Sequence, residues 1–286
     1  MSEAKEKMKI RTISGACFVA IVTGFFLLRE FVSFWLFDIL IWFFCAVGSF
    51  EVARAVLPFT EKRALIPSVI FGAIYAPVYM IVERFLWSGY GWLVMLGLTI
   101  AVLGVTFEVA GGADNAKKGV IALLPVVYPS LFILTFLMNN HSELGFIALL
   151  LVFVISPLSD TFAYLVGMTY GKIKKGNVKK LCPKLSPNKT WAGAIGGVIG
   201  GTLGSILVYL IFDPSVRAAS PILAFAIIGV IASVLTEIGD LFESFVKRRA
   251  GIKDMGKIMP GHGGVMDRID GMSFASAFIF FAFLII

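Results

Sequence analysis

Residues 144–170, LGFIALLLVFVISPLSDTFAYLVGMTY, run for 27 residues with a single charge, Asp160. A helix crosses a hydrocarbon core of about 30 Å with roughly 20 apolar residues, and this stretch is longer than that. An ionisable group near the middle of such a segment costs roughly 2.5–3.5 kcal/mol on insertion scales. The cost is tolerated where the group faces a polar cavity or a partner. Ser159 and Thr161 flank Asp160, and Pro157 frees a backbone carbonyl nearby. The pattern therefore predicts a spanning helix whose Asp160 forms part of a cavity wall.

The rest of the chain repeats this hydropathy. Of 286 residues 58% are hydrophobic and 15% charged, with a mean hydropathy of +0.92. Soluble domains carry about 25% charged residues, so a water-soluble fold is excluded. Apolar runs predict nine spans, near 11–29, 32–50, 64–83, 86–107, 119–138, 144–170, 191–212, 219–242 and 267–286. The expected fold class is all-α: a polytopic integral membrane protein of about nine transmembrane helices. Lys5, Lys7, Lys9 and Arg11 precede the first run, but it continues to Leu28 with no small-residue cleavage site, so it reads as an uncleaved helix.

Orientation follows the basic residues. With the N-terminus cytoplasmic, 22 of the 25 Lys and Arg fall in cytoplasmic segments, and only Arg29, Arg84 and Arg217 lie on the other face. The net charge of +7 is thus mainly a topology signal, and no nucleic-acid partner is expected. One loop exceeds that need. Between Gly171 and Thr190 stand Lys172, Lys174, Lys175, Lys179, Lys180, Lys184 and Lys189, with no acid among them. Such a loop attracts anionic headgroups or a nucleotide. Three cysteines and two histidines, without ligand spacing, argue against disulfides and zinc.

Costly polar groups within spans gather after residue 143. Residues 1–143 read as a scaffold of helices that also supplies dimer contacts, and 144–286 as the catalytic part. Glu51, Arg54 and Glu108 read as interfacial helix ends, and Trp87, Tyr90 and Trp92 as an aromatic belt. On the eighth span Glu237, Asp240, Ser244 and Lys247 share one helical stripe. Glu243 and Arg249 read as a solvated terminus. The following run, Gly256-Lys-Ile-Met-Pro260-Gly-His262-Gly263-Gly264, cannot be helical, and its backbone N–H groups suit an anion. Asp267 and Asp270 then stand at i, i+3 on the last helix. Clustered acids persist most naturally around a shared cation. Oxygen-only ligation points to Mg²⁺, with or without a second cation, bound by few carboxylates plus substrate phosphates. A basic loop, a glycine loop and acids together suggest phosphoryl or nucleotidyl transfer.

These residues are recognisable. Ser244-Phe-Val-Lys247-Arg248, then Lys253-Asp254, then Pro260-Gly-His262-Gly263-Gly264-Val-Met-Asp267-Arg268-Ile-Asp270 resembles the signature of the phosphatidate cytidylyltransferases (CDP-diacylglycerol synthases). Met259 departs mildly from the family's Leu, Ile or Phe. Ser159-Asp160-Thr-Phe-Ala-Tyr164 and Ser186-Pro-Asn-Lys189-Thr190 resemble two further family segments. The resemblance implies a dimeric membrane enzyme that makes CDP-diacylglycerol and pyrophosphate from CTP and phosphatidate, among membrane lipids. It implies metal ligands at Asp240, Asp267 and Asp270, and phosphate-binding positions at Lys247, Arg248, Lys253, His262, Gly263 and Gly264. Lys247 and His262 are counted with the three aspartates as catalytic. Lys184 and Lys189 are expected to meet the lipid phosphate. His262 is expected to hydrogen-bond a phosphate rather than to move a proton. The lack of a long N-terminal extension favours a bacterial plasma membrane. Competing readings are a CTP-dependent polyprenol or phytol kinase and a transporter relaying protons through Asp160, Glu237 and Asp240.

Overall fold

A computed structural model describes residues 3–86 and 89–286; Trp87, one of the expected belt aromatics, lies outside the described residues. The order is α1 (Glu3–Phe31), α2 (Trp35–Val56), α3 (Lys62–Ile81), α4 (Gly91–Val109), α5 (Ala116–Pro125), α6 (Phe132–Asn140), α7 (Gly145–Ile173), β1 (Lys180–Cys182), β2 (Ser186–Thr190), α8 (Trp191–Phe212), α9 (Pro221–Arg249) and α10 (Met266–Phe283). Among the described residues eight helical segments are long and apolar enough to cross a membrane. They match the first eight expected spans. The ninth exists as α10, but three of its 18 residues, Asp267, Arg268 and Asp270, are charged. The protein is an all-α membrane protein with one departure. The Lys-rich loop folds into a two-stranded antiparallel hairpin, pairing Lys180 with Thr190 and Cys182 with Ser186.

The chain forms two compact units. The first comprises Met1–Asn140 and Arg249–Ile269. Phe37, Ile41 and Phe44 of α2, Tyr75 of α3 and Phe136 of α6 are buried in it. Arg29 donates to Asn140 Oδ1 (2.8 Å), and Asn140 Nδ2 donates to the buried Asp38 (2.8 Å). The glycine-rich segment, grouped by sequence with the C-terminal half, packs in this unit with the N-terminal helices.

The second unit comprises His141–Arg248 and Asp270–Ile286. Its centre is the α7–α8 pair, where small residues let two backbones approach closely. A Cβ on Gly200 would lie 2.5 Å from Phe162, one on Gly204 2.7 Å from Leu158, and one on Gly193 2.8 Å from the Ala163 carbonyl oxygen. Thr190 Oγ1 caps α8 by accepting from Gly193 N (3.0 Å). This links the hairpin's second strand directly to the helix.

Candidate active site

Two groups of polar residues, one in each unit, contain most of the expected site. In the second unit an open pocket of about 800 Å³ is lined by Asp160, Lys189, Thr190, Glu237 and Asp240, with Lys172, Lys175 and Lys180 also on its wall. Asp160 thus lines a cavity, as its position within an apolar run requires. The Lys189 ammonium lies 2.7 Å from Asp240 Oδ2 and 3.0 Å from Glu237 Oε2. Burial alone would lower the Lys189 pKa. The Asp240 and Glu237 carboxylates outweigh that and raise it, so this lysine stays charged. Ser244 Oγ is 3.4 Å from Asp240 Oδ1. Asp160 feels the charges of Asp270, Asp240 and Glu237, and Asp270 those of Asp240 and Lys247.

Glu243 is a correction. It is 0% exposed, ion-paired with Lys247 and hydrogen-bonded to Asp270, not a solvated helix terminus. The i, i+4 spacing to Lys247 was the available signal; the burial of that face was not. Lys184 is exposed and outside the pocket. Ser186 is spent on strand pairing, and Arg248 Nε reaches the Leu185 carbonyl at 3.4 Å. Ser159 is buried beside Gly197, its hydroxyl without a partner among the described residues.

In the first unit the glycine segment is held from several sides. Asp267 Oδ2 accepts from Met255 N (2.9 Å) and Gly264 N (2.7 Å), and Glu51 Oε2 accepts from Met266 N (3.0 Å). Arg54 donates to the Met255 carbonyl (2.6 Å). Glu51 is 1% exposed, which overturns its reading as an interfacial helix end: a carboxylate so buried needs donors, and the loop supplies them. The glycines follow from this clamp. A Cβ at Gly264 would overlap the Glu51 carboxylate, and Gly263 combines φ +84° with the Asp267 carboxylate where a Cβ would stand. Arg11 Nε donates to the Gly261 carbonyl (2.8 Å), and Ser14 Oγ lies 2.7 Å from His262 Nδ1. Burial and the charges of Arg268 and Arg11 hold His262 below its usual pKa. Arg268 Nε is a buried donor without a partner among the described residues. Lys253 and Asp254 line a separate cleft of about 460 Å³ with Arg54 and Lys257. Reading the sequence assigned Glu51 and Arg11 other roles and left Ser14 unmarked, because their partners lie more than 200 residues away.

A family model of the cytidylyltransferase family matches residues 9–286. The chain belongs to the cytidylyltransferase family. Family membership makes it a nucleotidyltransferase enzyme. It is similar to a protein named phosphatidate cytidylyltransferase from Brucella abortus biovar 1, 34% identical over 205 residues, which are 67% of this chain and 71% of that one. Proteins of the same name from Thermotoga maritima and Staphylococcus epidermidis are 31% identical over 189 residues and 39% identical over 152. The first match covers 65% of this chain and 67% of its relative, the second 53% and 54%.

The donor chemistry fits Mg²⁺. The second unit gathers carboxylates, and Asp270 lies beside both Asp240 and Glu243. Acids so placed call for a shared cation. Among the described residues no three Asp, Glu, His or Cys side chains are close enough to hold a metal unaided. An ion that takes one or two carboxylates and completes its shell with water and phosphate oxygens suits the neighbouring Asp240 and Asp270.

Proposed function

We propose that the chain is a phosphatidate cytidylyltransferase, converting CTP and phosphatidate to CDP-diacylglycerol and pyrophosphate at the cytoplasmic face of a bacterial inner membrane, as a homodimer. The observation that carries this reading is the pocket of the second unit, where Glu237 and Asp240 hold the Lys189 ammonium and Asp160 lines the same cavity, in a chain of this family. A pocket of about 800 Å³ has room for a nucleotide. Its lysines, Lys172, Lys175 and Lys180, bring positive charge to a triphosphate. Lys189 orients the Asp240 and Glu237 carboxylates, and Lys247 does the same for Glu243 beside Asp270. Asp267, one turn before Asp270 on α10, keeps the glycine segment in shape.

When bound, Mg²⁺ would be held by Asp240 and Asp270 with phosphate oxygens, and would neutralise charge on the reacting phosphates. The phosphatidate oxygen forms a bond to the α-phosphorus of CTP as the bridge to the β-phosphorus breaks and pyrophosphate leaves. The test uses purified protein with phosphatidate, Mg²⁺ and CTP labelled separately at the α- and γ-phosphates. The α label should enter lipid and the γ label should leave as pyrophosphate. Entry of γ label into lipid would mark a kinase, and full activity in EDTA would remove the metal.

A further inference from the structure

Ser14 Oγ has three polar neighbours and one proton. It lies 2.8 Å from the Pro260 carbonyl, 3.1 Å from the Arg11 carbonyl and 2.7 Å from His262 Nδ1. A carbonyl oxygen can only accept. At 2.8 Å from Pro260 O, the hydroxyl proton must lie between the two oxygens, or their lone pairs would repel. The hydroxyl then has only lone pairs to offer Nδ1. A separation of 2.7 Å is stable when Nδ1 carries the ring proton and donates it. With the imidazole neutral, the other nitrogen, Nε2, bears a lone pair.

The loop around the ring is built for this arrangement. His262 N donates to the Met259 carbonyl (2.9 Å), and Met259 N to the Gly263 carbonyl (2.9 Å), so the ring leaves a tight turn with little freedom. Gly15, next to Ser14, leaves room for the ring: a Cβ there would lie 3.2 Å from His262 Cε1. The charged groups facing the imidazole are Arg11 on α1 and Arg268 at the start of α10, both cationic, and both disfavour an imidazolium. The same cations favour an anionic ligand, and Arg268 Nε has a buried N–H to give it.

We infer that Ser14 is a positioning residue that locks His262 as the Nδ1–H tautomer, so that Nε2 accepts a hydrogen bond from a singly protonated terminal phosphate. Such a phosphate meets both demands, negative charge for the arginines and an O–H for Nε2. Two substrates of the proposed reaction, on which this inference rests, carry one: phosphatidate and the γ-phosphate of CTP. Nε2 takes part as a hydrogen-bond acceptor and the imidazole stays neutral, in keeping with the two arginines that disfavour an imidazolium.

Histidine ¹⁵N spectra of the full-length protein in lipid nanodiscs read the tautomer directly, and the two histidines, His141 and His262, are assigned with a His141→Gln variant. At pH 7 His262 should show a protonated Nδ1 and an unprotonated Nε2; a protonated Nε2 in the wild type would overturn the inference without any Ser14 variant. Adding phosphatidate alone or CTP alone then names the source, as the one that shifts Nε2, and no shift with either also overturns it. Ser14→Ala should move the ring toward the other tautomer and lower turnover roughly tenfold, while Ser14→Thr, which keeps the hydroxyl, restores both. The deficit should shrink to about twofold at a pH where the phosphate has lost its last proton. A deficit equal at every pH would show a merely structural role. Wild-type protein that puts no label into lipid overturns the proposed reaction, while the tautomer stands or falls on the spectra.

Discussion

Lys189 brings positive charge to the second unit's pocket, and its two partners and its burial make opposite demands on it. Glu237 and Asp240 each gain an ammonium within 3.0 Å, while its burial charges a desolvation cost. Lys189→Met keeps the stem and removes the charge, leaving two acids uncompensated. It should cost roughly 3 kcal/mol of stability, read as a fall in the detergent melting temperature, with Lys189→Arg recovering part. Glu243→Gln should likewise be far from silent, since Lys247 would lose a buried counter-charge; at least a tenfold loss of activity is expected. A melting curve and turnover both near wild type would return Glu243 to the role of a solvated helix terminus. Glu51→Ala should loosen the glycine segment and lower turnover by about a hundredfold at unchanged membrane insertion, as checked by limited proteolysis near Lys257. At this scale the sequence exposed acids and bases well when their partners lay within a helical turn or two. It hid Glu51, Arg11 and Ser14, whose significance is conferred by segments far along the chain.

The glycines of α8 test how elements meet. A Cβ on Gly196 would lie 2.6 Å from Val166, and one on Gly197 2.9 Å from a Glu237 oxygen, so both edges of this face are filled. Gly200→Val should force the helices apart at a cost of about 1–3 kcal/mol, seen in thermal unfolding. Gly104→Ala on α4, with nothing within 4 Å of the new carbon, should be neutral and serves as its control. Hydropathy located the spanning segments, because apolar length is the quantity the bilayer demands, but it missed the polar ends of α1, α2 and α9 and the break between α5 and α6. It said nothing of the Lys180–Thr190 hairpin. A short pairing of mainly polar residues carries neither alternation nor apolar length, and the lysines that drew attention there concealed the strands.

Across the whole molecule, the distribution of basic residues yields a direct topological expectation. In a cysteine-free background, single cysteines at Lys175 and Lys257 should resist an impermeant reagent in intact cells, and one at the exposed Glu143 should react. Equal labelling of all three would break the topology. The two-part division expected from sequence rested on where chemistry-bearing residues stand, whereas packing unites 249–269 with the N-terminal helices. Linear order could not reveal this. The clamp on the glycine segment also sets a timetable for biogenesis. The Arg11–Gly261 and Glu51–Met266 bonds span 250 and 215 positions, so at about 5–20 residues per second the early partners wait roughly 10–50 s for the segment they hold. During that wait Glu51 has no loop amide to satisfy it, and the nascent helices must shelter it by water, a proton or an insertase. A ribosome that stalls before residue 266 would leave an inserted but unfinished protein bearing a buried acid, a ready mark for membrane quality control.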